Sequence, residues 1–149
     1  MIEIKIISYI SSSEPERELK ELRERYRGLF LQSINSSFLK PHAKVVLLQT
    51  LYAEHIGQSL ARDSGVDFLM RLTGEDQISS AISKAGARPN DTAYLLLAGK
   101  KERIERSVKS LLKELNGAKC ITELEKESRE DYDVAIGIAA TVGVDRFKQ

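Results

Sequence analysis

Apolar and polar residues alternate at the start of the chain. Ile2, Ile4 and Ile6 share one face of the segment 2–10, with Glu3 and Lys5 between them. A period of two predicts a strand. Ser13, Pro15 and Glu16 then mark a helix start, with Ser13 accepting an amide of the first turn and Glu16 reaching back. The helix Glu14–Tyr26 sets Leu19, Leu22 and Tyr26 at helical spacing opposite charged residues, and Gly28 ends it. Leu29–Ile34 reads as a second strand and Asn35-Ser36-Ser37 as a turn. A long helix follows from about Pro41, with Val45, Leu48, Tyr52, Ile56 and Leu60 as its apolar stripe. Asp63-Ser64-Gly65 breaks it, and a short helix Val66–Thr73 turns Val66, Leu69, Met70 and Thr73 to one side before Gly74. A further helix from Glu75 carries Ile78, Ala81, Ile82 and Ala85, and Gly86 and Pro89 stop it.

The second half repeats this alternation of types. Tyr94–Ala98 is a short apolar run that predicts a central strand. Gly99 leads into the helix Lys101–Leu115, with Ile104, Val108, Leu111, Leu112 and Leu115 inward and Gly117 closing it. Ala118–Ile121 suits a short strand, and Thr122 with Glu125 suits a capping box. Asp131–Val144 fits two periods: Val134, Ile136 and Ile138 alternate as in a strand, whereas Val134, Ala135, Ile138, Ala139 and Val142 fit a helix. Its length favours the helix. The expectation is an α+β fold over residues 1–149 as a single domain, a three- to four-stranded sheet packed with five to six helices.

Composition narrows the class. The 149 residues are 42% hydrophobic and 30% charged, an ordinary globular balance with enough chain for one core. No run approaches the ~20 apolar residues of a membrane span, and MIEIKIISYI lacks the uniform apolar block of a signal peptide. Cys120 is the only cysteine, so there is no disulfide framework and no thiolate metal cluster. These features suggest a cytoplasmic, reduced setting without membrane contact. Lys plus Arg number 23 against 22 acids, but the charge is uneven. Residues 84–113 hold eight basic side chains and three acidic, a net +5, while 1–83 carry −1 and 114–149 carry −3. Arg103, Arg106, Lys109 and Lys113 follow three- and four-residue steps down one helical face. Such a stripe suits nucleic-acid phosphates; the plainer reading is a solvated face with Glu102–Arg106 and Glu105–Lys109 pairs.

Enzymatic motifs are absent. The sequence has no GxxxxGK[ST], GxGxxG, HExxH or GxSxG pattern. Asp63, Asp67, Glu75 and Asp76 lie near predicted helix starts, where acids cap helices and face the positive dipole end. His42 and His55 alone cannot build a zinc site. His55 suits a helix-surface role better than that of a general base, and Cys120 reads as a buried, inert thiol beside Lys119. The chain reads as a binding module, with no catalytic residues, metal or cofactor expected.

The stretch Phe68-Leu69-Met70-Arg71-Leu72-Thr73-Gly74-Glu75-Asp76-Gln77-Ile78-Ser79-Ser80-Ala81-Ile82, followed by Ala85-Gly86, resembles the central motif of the PRPK-binding (TPRKB-like) subunit family of the KEOPS complex. The shared pattern is a hydrophobic helix ending in Leu-x-Gly, then Gln-Ile, then Ala-Ile and a Gly-closed helix. Glu54-His55 on the long helix, the strand–helix–strand start, the strand Ala93–Ala98 after Asn90-Asp91-Thr92 and the closing helix over Asp131–Val144 also resemble the family.

That resemblance implies a regulatory subunit without catalytic activity. It would bind and stimulate the small atypical kinase, an ATPase, of KEOPS, and through it join the rest of the complex. It would also help recruit tRNA by its acceptor end and CCA tail for threonylcarbamoyladenosine modification. Leu72, Gly74, Gln77, Ile78, Ala81 and Ile82 are the candidate kinase contacts. Ile78 and Ile82 suit either interface anchors or the domain's own core, and Gln77 either a polar interface or simple exposure. Tyr52, His55, Arg62, Arg71, Lys84 and Arg88 are the candidate tRNA contacts, supplying stacking surfaces and cations. Two rivals stand beside this reading: a protein-only adaptor without RNA contact, and a small hydrolase with a dispersed site around His55.

Overall fold

The computed structural model describes residues 2–124 and 126–142. They sort into two compact units, one from 2–39 with 87–123, the other from 40–86 with the described part of 124–142. The class is α+β, with a four-stranded antiparallel sheet and six α-helices among the described residues.

The first unit holds the sheet, in the order β2-β3-β1-β4. Strand β1 is Ile2–Ile10, β2 Phe30–Asn35, β3 Thr92–Lys100 and β4 Lys119–Cys120. β3 lies between β1 and β2, pairing Ile2 with Lys100 and Phe30 with Ala98. Helix α1 (Pro15–Arg25) and helix α5 (Lys101–Glu114) belong to this unit. Ile7, Tyr9, Leu31, Leu95 and Leu97 form one core with Leu19 and Leu22 of α1 and Ile104, Val108 and Leu111 of α5. Burying each large apolar side chain contributes about 1.5–3 kcal/mol. On the opposite sheet face Ile6, Ile34 and Leu96 are also buried, whereas Ile10 at the end of β1 is exposed. The expected single face of Ile2, Ile4 and Ile6 therefore describes only part of β1: Ile2 is exposed and the shared core is Ile7 and Tyr9. The expected capping box of Ser13 and Glu16 does not form: Glu14 precedes α1 without a side-chain capping bond. Ser12 Oγ accepts from Glu14 N–H at 3.2 Å and Glu18 accepts from Ser12 N–H at 3.1 Å, which ties the turn before the helix to its second turn. Leu112, expected inward on α5, faces outward.

The second unit is helical: α2 His42–His55, α3 Ser64–Thr73, α4 Ile78–Ala85 and α6 Arg129–Thr141. The expected stripe of α2 is out of phase. Ala43, Val46, Leu47, Thr50 and Ala53 are buried, whereas Leu48, Tyr52 and Ile56 are exposed. Apolar residues lie all round this helix, so periodicity alone could not assign its inner face. Pro41 offers no side-chain acceptor at the start of α2; Glu127 does, taking the His42 N–H at 2.8 Å and Nδ1 at 2.8 Å. The 131–144 block is helical through Thr141, with Ser128 accepting the Asp131 N–H at 3.0 Å. The expected Thr122–Glu125 box involves Glu125, which lies outside the described residues, as does the end of the 131–144 block.

Candidate functional site

The stretch from Phe68 to Gly86 folds as a helical corner. α3 ends at Gly74, whose φ of +75° is left-handed backbone. Its N–H bonds the Met70 carbonyl at 2.9 Å. A Cβ at this position would stand 2.7 Å from Ile138 Cγ2 of α6, so glycine meets a conformational need and a packing need together. Thr73 Oγ1 donates to the Leu69 carbonyl at 2.7 Å and accepts the Glu75 N–H at 3.2 Å. Glu75 in turn holds Lys84 at 3.2 Å, linking the corner to the far end of α4.

The six candidate kinase contacts divide by burial. Gln77 precedes α4 in extended backbone, exposed and with no capping bond from its side chain. Ile78 is 48% exposed and Ile82 is half-buried. Leu72 and Ala81 are buried within the corner. Gln77, Ile78 and part of Ile82 therefore offer surface, while Leu72, Gly74 and Ala81 hold its shape.

The six candidate tRNA contacts are less unified. Arg71 is buried and occupied: its Nε donates to Asp67 Oδ1 at 2.7 Å, and its other nitrogens reach the Gln58 carbonyl at 3.2 Å and the Ala139 carbonyl at 3.4 Å. Asp67, expected to cap a helix, is 1% exposed and also accepts the Leu60 N–H at 2.7 Å. Each of the three Arg71 nitrogens thus has a partner inside the fold, and the side chain also lines the shallow pocket beside Tyr52. Asp63, by contrast, does cap α3, accepting the Val66 N–H at 3.0 Å. Tyr52 is 65% exposed and borders a shallow pocket with Gln49, Ile56, Gln58 and Ala140. Gln49 Oε1 is buried without a hydrogen-bond partner. His55 and Arg62 are exposed and Lys84 pairs with Glu75. Arg88 belongs to the other unit, where its carbonyl accepts from the buried Ser11 hydroxyl.

In the sheet unit, α5 turns Ile104, Val108 and Leu111 inward and Arg103, Arg106, Lys109 and Lys113 outward. The Glu102–Arg106 and Glu105–Lys109 pairs do not form among the described residues. Arg25, Tyr26, Leu29, Arg103, Arg106 and the serines of α5 line an open cleft. Arg103 lies over Gly28 and donates to the Arg27 carbonyl. Arg25 pairs with Glu114, which also accepts from Tyr26 Oη at 3.0 Å. Helical spacing showed the basic stripe, but the cleft needs α1 and α5 side by side and has no local signal.

Cys120 is exposed on β4 rather than buried, because this two-residue edge strand presents both side chains to solvent. Among the described residues no group of three His, Cys, Asp or Glu side chains could hold a metal, and no helix is long and apolar enough to cross a membrane. Compared with known proteins, the chain matches no family model and no curated protein.

Proposed function

We propose that this chain is a non-catalytic regulatory subunit of KEOPS, which binds and stimulates the small atypical kinase and helps recruit tRNA by its CCA tail for threonylcarbamoyladenosine modification in the cytoplasm. The observation that carries the reading is the surface at the start of α4. The motif resembling the family places Gln77 and a 48% exposed Ile78 just beyond the rigid Gly74 corner. An exposed branched side chain on a well-braced helix is the kind of anchor that partner helices bury. Leu48, Tyr52, Val134 and Ile138 add further exposed apolar surface on helices of the same unit.

The test is a pair of titrations with the pure chain. The KEOPS kinase should bind it directly. Intact tRNA should shift it in a low-salt gel, and tRNA lacking CCA should shift it much less. Equal shifts would reject tail recognition; absence of kinase binding would reject the subunit assignment. One observation favours a protein-only adaptor as the second reading: Arg71 is buried and all three of its nitrogens bond inside the fold, which leaves the candidate tail site with fewer freely presented cations. Tight kinase binding with no tRNA shift would select the adaptor.

A further inference from the structure

The sheet unit carries a second surface that includes none of the six candidate tRNA contacts, although Arg88 lies in the same unit. Along α5, Arg103, Arg106, Lys109 and Lys113 are exposed on one face. At 1.5 Å per residue the stripe runs about 15 Å, enough to face several phosphates of one strand. Arg103 and Arg106 also enter the cleft, where Arg25, Tyr26, Ser107 and Ser110 join them and no acidic side chain is part of the lining. Glu114 sits beside it, engaged by Arg25 and the Tyr26 hydroxyl. Arg106 and Lys109 have no ion pair among the described residues, and Glu102 and Glu105 of the same helix leave them open. Ser107 and Ser110 stand one turn apart and add hydroxyl donors. Guanidinium forks beside hydroxyls and a row of cations are the donor set that sugar–phosphate backbones take, independent of base sequence.

We infer that the α1–α5 cleft and the α5 stripe form a second RNA contact, which grips the phosphate backbone of the RNA body rather than its tail. The inference rests on the RNA-recruiting part of the proposed function. Its test uses the full chain carrying Arg106→Glu with Lys109→Glu, titrated by fluorescence anisotropy with intact and CCA-less tRNA across a salt series. At low salt the affinity for both RNAs should fall at least tenfold. The slope of log K against log salt should shrink by about 2, near 0.9 for each lost contact. Circular dichroism and kinase binding should not change. The pair Arg106→Ala with Lys109→Ala, which adds no negative charge, should move both quantities the same way by less. Unchanged RNA affinity and slope would overturn the inference, as would a wild-type chain that binds neither RNA. In that last case the kinase titration decides separately whether the subunit reading survives. Loss of binding to a phosphoserine peptide with RNA binding intact would also overturn it, in favour of a protein ligand.

Discussion

Arg71 and Asp67 show how placement decides what a charged residue does. They sit four apart on α3, and their ion pair has side chains only 8% and 1% exposed. Removing one partner strands a buried charge, a loss of about 3–5 kcal/mol. Asp67→Ala should therefore shift the urea midpoint sharply downward; an unchanged midpoint would mean that the pair contributes nothing. In sequence, Arg71 was one cation among several, because i,i+4 spacing says that a pair can form but not that both ends are dry. Tyr9 offers a second prediction. Burial pushes its phenol up to about 12, against which its hydrogen bond with Ser33 acts weakly. The unfolded phenol ionises near 10 and the folded one later, so unfolding releases a proton between those values. Stability is full below about pH 10 and should fall by roughly 2–3 kcal/mol as pH rises through 12. In Tyr9→Phe that part of the decline should vanish from the pH dependence of denaturant unfolding.

Among the elements, those with one apolar face were legible and those with two were not. α5 has a sharp division, and Ile104, Val108 and Leu111 point inward as their spacing predicts. α2 is apolar on every side: Leu48 and Tyr52 stand on the stripe that spacing predicts and are exposed, while Val46 and Leu47 are core. The 131–144 block satisfied both periods, and its length favoured the helix observed through Thr141. α4 is the element on which the proposed interface turns, and its two faces make separable predictions. Ile78→Glu should leave the circular dichroism spectrum intact and weaken kinase binding at least tenfold. Ala81→Glu, at a site with no exposure, should cost several kcal/mol of stability through overpacking and an unpaired charge. If Ile78→Glu unfolds the chain, or binds the kinase like the wild type, the interface is not at the start of α4.

For the whole molecule, the α+β class and the number of strands and helices could be read from periodicity and turn residues. The division into a sheet unit and a helical unit could not, because neither is continuous in sequence. The chain leaves the sheet unit after Leu39, returns at Ala87 and leaves again after Glu123. Local patterns carry no record of which distant segments meet. β3 is the strand on which this arrangement depends: it lies between β1 and β2, and both precede it by more than fifty residues. During synthesis, therefore, β1 and β2 emerge without their partner, and their ladder closes only once Lys100 has left the ribosome. Closing so long a loop slows folding and leaves Phe30–Asn35, buried throughout in the native state, open to wrong pairing in the interval. A chain stopped before Thr92 would keep every residue of the α4 corner and still hold β1 and β2 without the strand that joins them.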